Sequence, residues 1–109
     1  MVASDTIIAR LGVTSQEVQR VCTRWDIQEL AVFGSCTGVA FDTASDVDVL
    51  VRFSPLRVPR LSELIDLRHD LQQLFHRPVD VITSGTIDAA PADRFSKSVM
   101  ESRRVLYAA

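Results

Sequence analysis

The stretch "FGSCTGVAFDTASDVDVLV", residues 33–51, sets an apolar run ending in Gly34-Ser35 ahead of two carboxylates, Asp46 and Asp48, embedded in valines. How the second half is read decides the fold. "SDVDVLVRF" alternates, and in a strand successive side chains leave opposite faces. Val47, Val49, Val51 and Phe53 then point one way, and Asp46, Asp48, Leu50 and Arg52 the other. Two carboxylates on one strand face repel each other and raise the proton affinity of one of them. A hard divalent cation such as Mg²⁺ removes the conflict, because it takes one or two carboxylates together with phosphate oxygens. The Gly-Ser pair is the complement. It follows the short apolar strand "ELAVFG"; its glycine lets backbone approach a ligand, and a helical turn beginning at Ser35 would present N–H groups to phosphate.

Working outward, "RPVDVIT" repeats the valine-flanked carboxylate at Asp80. Between the two strands, "LSELIDLRHDLQQLFH" is strongly helical, with Leu61, Leu64, Ile65, Leu71, Leu74 and Phe75 expected as its apolar face. A strand, a long helix and a strand suit a crossover connection. If those strands are neighbours, Asp46, Asp48 and Asp80 converge on one face. Such a set can hold two metal ions for an in-line phosphoryl displacement. "SPLRVPR", with its two prolines, is a loop. Upstream, Thr14 and Glu17 form a capping box that starts a helix, and Val18, Val21, Cys22 and Trp25 give its apolar stripe. A shorter helix at "SDTIIARL" ends at Gly12. "DRFSKSVMESRRVLY" is expected as a closing helix, with Val99, the aliphatic part of Arg103 and Leu106 facing inward and Arg103-Arg104 complementing its C-terminal dipole. The predicted class is α/β (α+β), a small mixed sheet flanked by helices.

The chain's totals narrow the function. Its 109 residues suit one domain spanning 1–109, with ordinary hydrophobic (47%) and charged (24%) content. A net charge of −2 argues against coating bulk nucleic acid but leaves a single nucleotide open. No apolar stretch is long enough to span a membrane, and the first residues lack a signal-peptide pattern. Cys22 and Cys36 lack metal-site spacing and read as free thiols of a cytoplasmic protein. Taken singly, each motif has a plainer explanation: Gly-Ser is usually a turn, Asp-x-Asp often flanks one, and an isolated Asp often sits on a strand edge. His69 and His76 are expected to face solvent.

In combination, "FGS", "SDVDVLV" and "RPVDVIT" resemble the MNT-type minimal nucleotidyltransferases of the DNA polymerase β-like superfamily, over about Thr14 to Tyr107. That resemblance implies ATP or another nucleoside triphosphate as substrate, Mg²⁺ (two ions possible), and transfer of a nucleoside monophosphate to a hydroxyl with loss of pyrophosphate. It implies Gly34 and Ser35 as the phosphate-binding pair, and Asp46, Asp48 and Asp80 as metal-binding and catalytic carboxylates, with Asp80 aiding deprotonation of the acceptor. It also implies a HEPN-like toxin as partner, with this chain as antitoxin. Where the family often carries Gly-Ser-x-x-Arg-Gly, this sequence has Gly38 in place of the arginine and Val39 in place of the second glycine. A guanidinium there would neutralise triphosphate charge. Its loss motivates an alternative, a non-catalytic relative that neutralises its partner by contact. A nucleotide-sensing or RNA-associated regulator is a third reading, disfavoured by the charge.

Overall fold

Thr14 begins the first long helix as its sequence context requires. Its hydroxyl accepts from the Glu17 amide, and the Glu17 carboxylate accepts from the Thr14 amide. The structure is a computed structural model that describes residues 5–37 and 46–109. Helix α1 (Asp5–Arg10) and α2 (Ser15–Arg24) lead into strand β1 (Ile27–Phe33), which runs into a single 3-10 turn, Gly34–Thr37. Strand β2 (Val47–Phe53), helix α3 (Leu61–Phe75) and strand β3 (Val79–Thr83) follow. Helices α4 (Ser84–Ala89) and α5 (Arg94–Ser102) and strand β4 (Arg104–Ala108) complete the described chain.

The strands form one sheet in the order β3-β2-β1-β4. β1 is antiparallel to both β2 and β4, whereas β2 and β3 are parallel across the α3 crossover, so the sheet is mixed as expected. The period-2 alternation divides the sheet into two faces. Val47, Val49 and Val51 of β2, with Leu30, Val32, Val79 and Leu106, pack under α1, α2 and α3 in the main core. Leu50, with Ala31 and Phe33, packs under α4 and α5 in a smaller cluster containing Ile87 and Val99. The Trp25 indole N–H donates to Asp70 of α3 at 2.9 Å, so α2 and α3 are pinned to each other over the main core.

Three expectations need correction. The chain does not close as one helix: α5 ends at Ser102, and Arg103 turns to extended backbone (φ −61°, ψ 144°). The open edge of β1 supplies unpaired N–H and C=O groups, and the residues of β4 satisfy them. Val99 and Leu106 are buried as anticipated, but from a helix and a strand. Of the Arg103-Arg104 pair, Arg104 meets the helix end as expected, donating to the Ser102 carbonyl at 3.3 Å, whereas the Arg103 guanidinium donates to Glu29 of β1 at 3.0 Å. Second, the buried stripe of α3 is Leu67, Leu71 and Phe75, while Leu61 and Ile65 are 75% and 59% exposed. At about 100° per residue those two lie roughly 80–120° around the helix from the stripe's centre. Third, α4 was not foreseen.

Candidate active site

One end of the sheet gathers the sequence-predicted residues. Because β2 and β3 are parallel, their N-terminal ends coincide; because β1 is antiparallel to β2, its C-terminal end lies there too. In register, Asp48 faces Asp80 across the parallel pair and Phe33 across the antiparallel pair. Neighbouring strands lie about 4.8 Å apart, so residues in register on one face are side by side. Asp48 shares its face with Leu50, and Asp80 with Ile82, which is the face covered by α4 and α5.

Asp46 precedes β2 and is exposed, Asp48 is half-buried, and Asp80 is exposed. The Asp48 carboxyl is pushed above its ordinary range, first by desolvation and then by the negative charges of Asp80 and Asp46. Both neighbours therefore act on the one carboxylate that the sheet half-covers. Among the described residues, no three His, Cys, Asp or Glu side chains close into a ready-made metal cluster. The donor set nevertheless suits a hard cation that needs only one or two carboxylates, with phosphate oxygens and water filling the shell.

The Gly34 turn closes against this group. Gly34 has φ +73°, and a Cβ built there would lie 2.6 Å from Asp48 Oδ2. Glycine is needed twice over: for the left-handed backbone and for the space beside the carboxylate. Inside the turn the Thr37 hydroxyl donates to the Gly34 carbonyl at 2.8 Å, and the Gly34 amide donates to Ser102 Oγ at 3.3 Å. A strand ending, a tight turn beginning with glycine, and carboxylates on the two next strands all meet in one place.

The Nucleotidyltransferase domain family matches residues 15–106. The chain belongs to this family. It is a nucleotidyltransferase, and its four-stranded mixed sheet with flanking helices is the nucleotidyltransferase fold. A candidate minimal nucleotidyltransferase of known structure is 26% identical, with TM-score 0.63 and 91% of each chain covered. A toxin–antitoxin crystal structure with AMP-PNP gives TM-score 0.62 at 15% identity, covering 89% of this chain and 75% of that one. The complex of tri-AMPylated Shewanella oneidensis HEPN toxin with MNT antitoxin gives TM-score 0.57 at 13% identity, covering 87% and 70%. These two likenesses speak for the fold. A search of curated proteins gives no match.

For this nucleotidyltransferase, the backbone brings Gly34, Ser35, Asp46, Asp48 and Asp80 to one sheet end, as the sequence motifs suggest. Gly38 and Val39, where the motif departs from the family, lie outside the described residues. His69 and His76 are exposed, as expected. The sequence reading passes over Ser102, whose hydroxyl meets the turn. No local signal could have found it, because the two partners are 68 residues apart.

Proposed function

We propose that this nucleotidyltransferase is a single-domain, Mg²⁺-dependent enzyme that transfers AMP from ATP to a hydroxyl of a HEPN-like toxin, as the cytoplasmic antitoxin of a toxin–antitoxin pair. The observation that carries the reading is the register of Asp48 against Asp80, at the sheet end where Gly34 turns against Asp48. Support for the nucleotide and the partner comes from the neighbours of like fold, one with AMP-PNP and one with an AMPylated HEPN toxin. Among the described residues, no helix is long and apolar enough to cross a membrane.

Asp46, Asp48 and Asp80 would hold Mg²⁺, as one or two ions. When bound, Mg²⁺ supplies charge neutralisation at the phosphates and polarisation of the reacting oxygens. The turn at Gly34 and Ser35 would receive the phosphate chain, Gly34 by leaving room for it and Ser35 by its backbone amide. Asp80, exposed on the outer of the two parallel strands, can meet a bulky acceptor and take the proton from its hydroxyl. The acceptor oxygen bonds to the α-phosphorus, the α–β phosphoanhydride bond breaks, and pyrophosphate leaves with the bond's electron pair.

The test is mass spectrometry of a partner co-expressed with wild type or with Asp80→Asn. Wild type should add one or more AMP masses. Asp80→Asn should lower transfer at least ~10²-fold, the usual loss on removing a positioned proton acceptor. It should still bind ATP by calorimetry through Asp46 and Asp48. A wild type that silences its partner without modifying it would instead establish neutralisation by contact, the reading that Gly38 favours.

A further inference from the structure

We infer that Ser102 is a positioning residue that sets how closely the Gly34 turn stands to Asp48, an inference that rests on the function proposed above. Ser102 is the last residue of α5, and its Oγ accepts the Gly34 amide at 3.3 Å. Its own place is fixed from both sides. Ahead of it, Val99 is buried against the sheet, and Phe95 lies edge-on to Phe33, the residue before Gly34, with ring centroids 6.3 Å apart and planes at 82°. Behind it, Arg103 donates to Glu29 of β1 at 3.0 Å. The hydroxyl is thus presented from a helix docked on the same strand that carries the turn.

The turn needs such an anchor. Gly34 has the backbone freedom of glycine at φ +73°, and the Thr37–Gly34 hydrogen bond fixes the turn only internally. The contact with Ser102 ties it to the rest of the molecule. The gap between Gly34 and the Asp48 carboxylate is smaller than a methyl group needs, so a small outward shift changes what fits between them. With its amide engaged by Ser102, Gly34 orients the turn, and the amides after it are left to face a phosphate. Nothing is lost from the core when this hydrogen bond is removed, because Gly34 is exposed and Ser102 is half-exposed. The effect belongs to ligand placement more than to folding.

The experiment compares wild type, Ser102→Ala and Ser102→Thr by calorimetry with Mg²⁺-ATP, thermal melting, and amide hydrogen exchange at Gly34 by NMR. Ser102→Ala should weaken nucleotide binding about threefold to tenfold, the worth of one neutral hydrogen bond. Its melting temperature should stay close to wild type, and its Gly34 amide should exchange faster. Ser102→Thr keeps the hydroxyl and should recover both binding and protection. In a transfer assay the alanine variant should raise KM more than it lowers kcat, because Ser102 touches no reacting atom. Wild-type affinity in Ser102→Ala overturns the inference alone. Weaker binding that appears only with a lower melting temperature, or that threonine does not recover, also overturns it. A wild type that binds no Mg²⁺-ATP overturns the proposed function first, and this inference with it.

Discussion

The two faces of the sheet differ in how much they bury. Under α1, α2 and α3 lie Val47, Val49 and Val51, with Leu67, Leu71 and Phe75 above them, all fully or almost fully buried. Under α4 and α5 the cluster is reduced to Ala31, Phe33, Leu50, Ile87 and Val99, and the same face carries Asp48 and Asp80 at one end. Strand β2 belongs to both: Val47 and Val49 lie in the deep core on either side of a half-buried carboxylate. A thick apolar layer on one face holds the strand in register, and that lets the other face keep charged groups in a fixed, partly desolvated place. The fold's stability and its chemistry are separated by the pleat of one strand.

The sharpest way to break this comparison is a core truncation on each side. Leu71→Ala, on the thick face, removes a fully buried side chain and should destabilise the fold by about 2–5 kcal/mol. Val99→Ala, on the thin face, removes two methylene equivalents, roughly 0.8 kcal/mol each. It should therefore cost less than half of the upper figure. Urea unfolding of both variants checks the order; a Val99→Ala loss equal to that of Leu71→Ala would mean the two layers share the load evenly.

A pair of glycines sharpens the comparison at smaller energies. Gly12, in the turn between α1 and α2, has φ +71°, and Gly34, at the carboxylate end, has φ +73°. Alanine at either position meets the same backbone penalty, about 1–2 kcal/mol. A Cβ at Gly12 meets nothing within 4 Å, whereas one at Gly34 meets Asp48 Oδ2. Gly12→Ala should thus lower stability by the backbone penalty alone, Gly34→Ala by at least as much because Asp48 must also shift, and only Gly34→Ala should weaken Mg²⁺-ATP binding. Equal binding by both variants would place the phosphate away from this turn.

Much of this was readable from local sequence. The Thr14–Glu17 box, the valine alternation and the crossover helix each depend on contacts within a few residues, or on a period that one face imposes. The register was not readable: nothing in "VDV" says that Asp80, and not a residue two places on, opposes Asp48. Strand β4 was hidden because its residues extend a helical pattern, and only pairing with β1 makes them a strand. The exposed Leu61 and Ile65 show the limit of periodicity. It gives the apolar positions of α3 but not which arc of the helix meets the sheet. At the site, the carboxylates and the glycine announced themselves by type and spacing, whereas Ser102 acts across a distance in sequence that no motif spans.

The smallest effect expected concerns Asp48 itself and the conditions under which its charge is tolerated. Desolvation first, and then Asp80 and Asp46, raise its proton affinity in the folded chain. A carboxyl with a raised folded pKa contributes stability that is fully present below its unfolded pKa and is lost as pH rises through the folded value. At neutral pH, without metal, the ionised Asp48 is therefore a small burden on the fold. Asp48→Asn should melt slightly higher than wild type at pH 7, and the difference should close as pH falls through the carboxylate range. Added Mg²⁺ should raise the wild-type melting temperature and leave the asparagine variant nearly unmoved, because the cation relieves a repulsion the variant no longer has. A wild type more stable than Asp48→Asn at neutral pH without metal would mean that the carboxylate is held by a favourable contact, and the thin face would then be contributing stability at the very place where it is expected to surrender it.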